Sequence, residues 1–392
     1  MTELREAVIV SAVRSAVGKG KKDGALASVH PTELSAWVMR AAVQQAGVDP
    51  TTIDDIYWGC AMPEASQGLN VARLASLRAG FPVEVPSATI NRFCSSGLQT
   101  IALAAQEIMT DMADVVIAGG VEMMSQVPMS GYYTRLAPEL TESYIGMGFT
   151  AERVAERWHV SREDQDRWAL GSQQKAARAW ERGVFDKQIA AVPVSKTTWE
   201  GSRKESCSSE VKRDELLRPE TTLEGLAKLK PAFKVKGTVT AGNSSPYSDG
   251  AAALVLMSSE RAKALGIKPL ARFITFATAG VEPDVMGIAP IKAVPKAFKR
   301  AKMSMKDVDL IEFNEAFAAQ VVAVVRELKM PEDKVNVNGG AIALGHPLGA
   351  TGSKLTTQLV HELGSRGGGV GLVTMCIGGG MGGAGLFEVY AA

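Results

Sequence analysis

Val373-Thr374-Met375-Cys376-Ile377-Gly378-Gly379-Gly380-Met381-Gly382-Gly383-Ala384-Gly385-Leu386-Phe387-Glu388-Val389-Tyr390-Ala391-Ala392 is the stretch on which the fold turns. Gly378, Gly380 and Gly383 satisfy G-x-G-x-x-G behind an apolar run at 370–375, the pattern of a loop that cradles a dinucleotide pyrophosphate. That pattern needs a helix behind the glycines and an acidic residue about 20 positions on, at the end of a second strand. Only nine residues follow Gly383, and 386–390 alternates as a strand does. The dinucleotide reading fails. What is left is Cys376 at a strand end, followed by glycines whose backbone N–H groups no side chain obstructs.

Working outward, the chain repeats itself. A shift of 255 residues lays Ile53-Asp54-Asp55-Ile56-Tyr57-Trp58 on Val308-Asp309-Leu310-Ile311-Glu312-Phe313. The same shift lays Val115-Val116-Ile117-Ala118 on Val370-Gly371-Leu372-Val373, and Cys94-Ser95-Ser96-Gly97 on Gly349-Ala350-Thr351-Gly352. Segments 97–110 and 352–364, between these matches, carry Ala, Leu, Ile and Val at helical spacing. Two similar α/β halves follow, about 1–120 and 270–392, each alternating short apolar strands (8–10, 115–118; 274–276, 370–375) with helices. Such an arrangement predicts parallel or mixed sheets covered by helices, with functional groups at the carboxyl ends of strands. It makes Cys376 the counterpart of Val121, places Cys94 and His346 in equivalent loops, and predicts that all three face one cleft.

The intervening segment, 121–250, has Met- and Tyr-rich turns, an amphipathic helix near 161–182 and a charged run at 211–237. A solvated loop face is the commoner meaning of such a run. It suits a phosphate-bearing ligand if the cleft opens beside it.

Composition narrows the function. Lys plus Arg number 43 against 42 for Asp plus Glu, a balance unlike that of a nucleic-acid or membrane-surface protein. Cys60, Cys94, Cys207 and Cys376 lie far apart with no C-x-x-C pair, so neither a disulfide framework nor a metal site is expected. The first residues run into a strand without a secretory or transit pattern, and no apolar run nears the roughly 18 residues of a spanning helix. A cytoplasmic protein in a reducing compartment is the expectation.

Cys94 precedes a helix whose first amides face back at it, a setting that lowers a thiol pKa and can hold an oxyanion. A small buried cysteine is the alternative. His346 is one of four histidines and alone sits among glycines, in Asn338-Gly339-Gly340-Ala341-Ile342-Ala343-Leu344-Gly345-His346-Pro347-Leu348-Gly349. A lone histidine is usually structural, yet a Cys–His pair is the standard source of a thiolate near neutral pH. Cys376, if not simply a buried strand cysteine, has glycines behind it able to form an oxyanion hole. Asn314 closes the strand at 310–313 and is either a helix N-cap or the holder of a water in a pocket.

Together these residues resemble the thiolase family over nearly the whole chain. The motifs are Asn91-Arg92-Phe93-Cys94-Ser95-Ser96-Gly97, Gly119-Gly120-Val121-Glu122-Met123-Met124-Ser125, Asn243-Ser244-Ser245 with Asp249-Gly250, Asn314-Glu315-Ala316-Phe317, Gly345-His346-Pro347 and Cys376-Ile377-Gly378-Gly379-Gly380, in family order. The resemblance implies an α/β, five-layered α-β-α-β-α fold of two duplicated halves with an inserted loop domain. The corresponding division is 1–120, a CoA-binding loop domain at 121–250 that returns to the first half near its end, and 251–392. It also implies cleavage of 3-oxoacyl-CoA by CoA, which is a substrate here with no permanently bound cofactor, and the reverse Claisen condensation.

In that family pattern Cys94 is similar to the acyl-carrying nucleophile, His346 to its base, and Cys376 to the acid/base that serves the acetyl carbon and the CoA thiol. Asn314 resembles the holder of the water in a first oxyanion hole, and the N–H groups of Cys94 and Gly378 resemble the second. Arg218 and Ser245 match contacts to the nucleotide and pantetheine, and Met147 a residue near the acyl pocket. Gly146 stands where relatives confined to acetoacetyl-CoA commonly have His, and Gly225 replaces a serine contact. Both departures resemble the degradative thiolases of fatty acid β-oxidation. The resemblance implies a homodimer, or a tetramer of paired dimers. A decarboxylating condensing enzyme of the ketoacyl-synthase kind is disfavoured by Cys376, and a non-catalytic CoA or lipid carrier by the presence of every reactive residue.

Overall fold

The computed structural model describes residues 4–128, 135–200 and 203–392; the side chains of 141–142 and 196–207 lie outside that description. The Cys207 side chain and the Met- and Tyr-rich segment at 129–134 fall outside it too. In chain order the elements begin with β1 (Ala7–Arg14), β2 (Gly18–Lys19), α1 (Pro31–Ala46), β3 (Asp55–Gly59), α2 (Val71–Ala79), β4 (Ala88–Ile90), α3 (Ser96–Met109) and β5 (Val115–Met123). Next come α4 (Met147–Arg157), α5 (Arg162–Glu181), the hairpin of β6 (Val192–Glu200) and β7 (Arg203–Val211), and α6 (Leu223–Ala227). After β8 (Ser248–Ser258), α7 (Ser259–Leu265) leads to β9 (Ala271–Gly280), α8 (Pro290–Ala301), β10 (Leu310–Phe313) and α9 (Ala318–Leu328). The chain closes with α10 (Ala341–Leu344), α11 (Leu348–Ser365), β11 (Gly369–Ile377) and β12 (Met381–Val389).

The 373–392 stretch is an antiparallel hairpin, with Cys376 opposite Gly382 and Ile377 opposite Met381. Its turn depends on Gly380, whose φ of +83° is left-handed and whose Cβ, if present, would lie 2.3 Å from the Val281 carbonyl oxygen. A strand-turn-strand leaves no helix to receive a pyrophosphate, which is the physical reason the G-x-G-x-x-G match is empty.

Among the described residues ten strands form one sheet, nine of them in the order β10-β11-β12-β9-β1-β8-β5-β3-β4 and β2 off this path on β8. Read outward from its middle, β1-β8-β5-β3 is matched by β9-β12-β11-β10. The parallel pairs agree too: β3 with β5, and β10 with β11. At the seam between the halves Val8 lies opposite Arg272 and Ile9 opposite Ala271.

Alternation along the strands builds three apolar layers. Val8, Val10 and Val13 of β1 face α1 and α2 with Leu34, Val38 and Val71, while Ala7, Ile9 and Ala12 face inward. Inward lie Leu98, Ile101 and Ala105 of α3 and Leu355, Leu359 and Leu363 of α11, beneath Val116 of β5 and Val373 and Met375 of β11. Ile311 and Phe313 of β10 turn the other way, onto Val294 and Phe298 of α8 and Val321 and Val325 of α9. The order is thus α1/α2, first sheet half, α3/α11, second sheet half, α8/α9: five layers, with α3 and α11 at the centre.

The two central helices approach the strands without side chains between them. A Cβ on Gly120 would lie 2.2 Å from the Gly349 carbonyl oxygen, one on Gly59 would lie 2.6 Å from it, and one on Gly349 would lie 2.7 Å from the Cys60 Cα. Beside this contact the buried Glu122 carboxylate accepts from Ala61 N (2.8 Å), Met62 N (3.2 Å), Gln67 Nε2 (2.7 Å) and Gly349 N (2.8 Å). One carboxylate of the first half thereby fixes the start of α11 from the second.

Gly349→Ala forces backbone apart at that junction. It is expected to cost about 1–3 kcal/mol in urea unfolding, the range for overpacking. An unchanged midpoint would show that the helices have slack there.

Candidate active site

Cys94 sits in a single 3-10 turn, Phe93–Ser95, that runs straight into α3. The turn is sharp because Phe93 has φ of +42°, a left-handed value that costs a non-glycine residue about 1–3 kcal/mol. Local hydrogen bonds hold it there: Phe93 N donates to Asn91 Oδ1 (2.8 Å), Ser96 Oγ donates to Phe93 O (2.6 Å), and Arg92 N donates to Ser96 Oγ (2.9 Å).

Two backbone N–H groups, those of Gly378 and of Cys94 itself, lie near enough to the Cys94 sulfur to draw its pKa down. Cys376 lies wholly buried close by, near enough that the two thiols feel one another's charge. The Met147 sulfur lies 3.8 Å from where a Gly378 Cβ would be, and Met147 packs against the apolar cluster that contains Cys376.

The protonation of His346 follows from its partners. Thr351 Oγ1 gives its single proton to Pro347 O (2.9 Å), so at 2.6 Å it accepts from His346 Nδ1–H. His346 Nε2 is therefore bare, and Asn314 Nδ2 donates to it at 3.2 Å. Burial, with the Lys354 charge as a smaller cause, pushes the imidazole down to about 3, so the ring is neutral at physiological pH. The His346 amide donates to Ser248 Oγ (2.9 Å), which anchors the residue to β8 of the other half.

Asn314 follows β10 directly, as its sequence position implies, but it is not a helix cap; α9 starts later, with Phe317 at its N-cap. Its side chain is spent on the histidine. Its Oδ1 is buried and has no partner among the described residues, which suits an acceptor for a water.

One expectation is reversed. The helix start and paired histidine predict a lowered Cys94 pKa, whereas burial pushes the thiol up to about 11 against the pull of the two backbone donors. No hydrogen bond joins Cys94 to His346 among the described residues. Desolvation outweighs the donors here, and the resting pair is thiol and neutral imidazole.

Farther out, a cleft of about 250 Å³ is lined by Arg218, Thr222, Gly225, Leu229, Ser244 and Pro246. Arg218 is exposed beside it, and its amide donates to Gln173 Oε1 (2.9 Å). Ser245 stands between two lining residues, its N–H bound to Ala316 O (3.0 Å). The charged run at 211–237 is largely exposed, with Asp214 the exception: it is fully buried and gripped by Arg14 Nη1 (2.8 Å) and Nη2 (3.0 Å). Gly146 caps α4 with only the Phe149 ring near it, 3.4 Å from a would-be Cβ.

Reasoning from sequence missed four residues that build this centre: the strained Phe93, Glu122, Ser248 and Thr351. Glu122 and Ser248 fall within or beside quoted motifs. Thr351 carries a helical spacing signal only, five residues after His346.

Two fused α/β halves with two thiols and a neutral imidazole at their junction define a duplicated protein with a cysteine centre. The thiolase N-terminal domain matches residues 7–260 and the thiolase C-terminal domain residues 267–389, so the chain belongs to the thiolase family. It is 54% identical over 391 residues to the 3-ketoacyl-CoA thiolase of Bacillus subtilis (strain 168), covering 98% of this chain and 100% of that one. The crystal structure of human mitochondrial 3-ketoacyl-CoA thiolase superposes with a TM-score of 0.89 at 40% identity, covering 100% of both chains. That of the Bacillus anthracis acetyl-CoA acetyltransferase gives 0.88 at 41%, covering 99% of this chain and 100% of the other.

A thiol raised by burial has a measurable signature. Alkylation of Cys94 by iodoacetamide in the free protein is expected to climb about tenfold per pH unit from pH 7 to 9.5, the behaviour of a thiol well below its pKa. A plateau near pH 7 would show a preformed thiolate.

Proposed function

We propose that the chain is an acyltransferase that cleaves 3-oxoacyl-CoA with CoA, giving acetyl-CoA and an acyl-CoA two carbons shorter, as in fatty acid β-oxidation. The observation that carries this reading is the grouping at Cys94 of two N–H donors and a second thiol, together with a buried neutral imidazole whose Nε2 carries no proton. Both a nucleophile and a separate proton source are what a C–C cleavage next to a thioester needs.

In the first half-reaction Cys94 passes its proton to His346 Nε2 as its sulfur attacks the C3 carbonyl. The oxyanion formed is met by the N–H groups of Cys94 and Gly378. The C2–C3 bond breaks, its electron pair forming the enolate of the departing thioester. His346 Nε2–H and a water on Asn314 hold that enolate oxygen. Cys376 protonates C2, which releases acetyl-CoA and leaves acyl-Cys94.

In the second half-reaction the Cys376 thiolate takes the proton of incoming CoA, whose sulfur attacks the acyl-enzyme. Cys94 leaves and recovers its proton from the imidazolium. Each group ends as it began, and ping-pong kinetics follow.

Burial suits these roles. An imidazolium held far below its ordinary pKa is a strong donor to an enolate, and donors fixed by the fold need no reorganisation when charge develops.

Residues 121–250 form the CoA-binding loop domain, with Arg218 and Ser245 toward the nucleotide and pantetheine and Met147 beside the acyl chain. The open space at Gly146 suits chains longer than C4. The protein works in the cytoplasm as a homodimer or a pair of dimers. No helix among the described residues is long and apolar enough to cross a membrane.

The test is CoA-dependent loss of 3-oxoacyl-CoA from C4 to C16, with Cys94→Ala and Gly146→His alongside. Activity extending well past C4 and abolished by Cys94→Ala is expected. Gly146→His is expected to lower the C10-to-C4 ratio about tenfold or more, the scale of pocket-size discrimination. Activity confined to C4 in the parent protein would assign it to acetoacetyl-CoA instead. Binding of CoA with no cleavage at any length would leave a carrier.

A further inference from the structure

Glu315 has no part in the reaction above, yet it is 1% exposed and both of its oxygens are engaged. Oε1 accepts from Trp168 Nε1 (3.0 Å) and Asn336 Nδ2 (2.9 Å). Oε2 accepts from Ser172 Oγ (2.6 Å) and from the Ile342 amide (3.2 Å). All four donors are neutral. Burying a carboxylate on neutral donors is costly, and the hydrogen bonds offset that cost only while every one is made. What four bonds to one small group do supply is placement.

The donors arrive from three directions. Trp168 and Ser172, four residues apart, share one face of α5. Asn336 also closes the end of β10: its Oδ1 accepts from Phe313 N (2.7 Å) and its Nδ2 donates to Phe313 O (2.8 Å). Ile342 belongs to α10, four residues before His346. The loop between them lies flat on the carboxylate because residue 340 is glycine; a Cβ there would be 2.1 Å from the Glu315 carboxyl carbon. The Gly340 amide donates to Ser172 Oγ (2.9 Å), so the hydroxyl that gives its proton to Glu315 takes one from this loop.

The two members of the Asn314–His346 pair therefore trace back to one group. Asn314 is the chain neighbour of Glu315, at the strand end that Asn336 closes, and its own amide donates to Thr374 O (3.0 Å). His346 ends the loop that the carboxylate grips at Ile342. The side chains of the pair meet at 3.2 Å.

We propose that Glu315 is a positioning residue for this pair: by clamping the 336–342 loop to α5 and to the end of β10, it sets how Asn314 and His346 face the enolate oxygen, and thereby the rate of C–C cleavage.

The inference rests on the reading of His346 and Asn314 as holders of the enolate oxygen, and that reading supplies a selective test. Cleavage of acetoacetyl-CoA forms an enolate. Exchange of the acetyl group between acetyl-CoA and isotopically labelled CoA passes through acetyl-Cys94 and forms none. A loosened fold lowers both alike, whereas a displaced pair lowers cleavage more. Glu315→Gln keeps the shape of the side chain but replaces one acceptor oxygen with an NH2 group that faces donors. Both rates are measured on the full-length protein, cleavage as kcat/KM for acetoacetyl-CoA, which in ping-pong kinetics reports the first half-reaction alone.

In Glu315→Gln cleavage is expected to fall about 100-fold, the scale of a 1 Å misplacement at a reacting centre, and exchange at most about tenfold. A folded variant in which both fall by the same factor, or in which cleavage is unchanged, overturns the proposal. If Glu315→Gln does not fold, Ser172→Ala decides, since it removes one donor to Oε2 and the acceptor of the Gly340 amide. Cleavage is then expected to fall several-fold more than exchange, and equal losses overturn the proposal. A parent protein that exchanges acetyl groups but cleaves no 3-oxoacyl-CoA overturns the functional reading and the proposal with it.

Discussion

Everything at this centre depends on how closely α11 can approach the strands of the other half. Gly59, Gly120 and Gly349 let backbone touch backbone, and the Glu122 carboxylate catches the Gly349 N–H. A methyl at any of these positions would push the helix away. The helix start carries His346, Pro347 and Thr351, so its placement decides where Nε2 lies relative to β10 and β11. The cost of burying a carboxylate is offset by its four hydrogen bonds, and the group is a clamp only because all four are made.

A second constraint follows from putting the chemistry at the junction of two layers. Cys376 and His346 are buried and Cys94 partly so, which makes charge unfavourable in the resting state: both thiols are pushed up and the imidazole is pushed down. The same desolvation strengthens the fixed donors once charge forms during reaction. A neutral resting site with donors already in place favours charge on the reaction path over charge in the ground state, which is the condition for selective transition-state stabilisation. The strained turn at Phe93 contributes by presenting the sulfur to two backbone N–H groups at once.

The sequence disclosed the frame of this site better than its electrostatics. The shift that relates β3 to β10, β5 to β11 and α3 to α11 is visible because those strands are short, apolar and equally spaced in both halves. The pairs β1 with β9 and β8 with β12 escape it: the first pair starts 264 residues apart, and the long insertion before β8 leaves the second only 133 apart. Cys376 was legible as a strand-end cysteine because the apolar run at 370–375 leads into it, glycines follow, and 386–390 alternates beyond them. The sign of the Cys94 pKa was not legible: a helix start is a local feature, whereas the packing of β11 against the 93–95 turn is tertiary. Asn314 likewise read as cap or ligand until Phe317 was seen to hold the cap position. The burial of Lys354 was invisible because a charged residue on an amphipathic helix ordinarily reads as solvent-facing, and only α11's place between two sheets buries it.

The account's central claim is that the two halves meet in order to carry an acyl group on Cys94 and hand it to CoA. Mass spectrometry of the protein mixed with a stoichiometric amount of a 3-oxoacyl-CoA, without added CoA and quenched in acid, tests it directly. The account predicts the mass of the shortened acyl group on the peptide containing Cys94, lost again when CoA is added. Acylation of Cys376 instead, or release of acetyl-CoA with no covalent acyl-protein at any time, would contradict it.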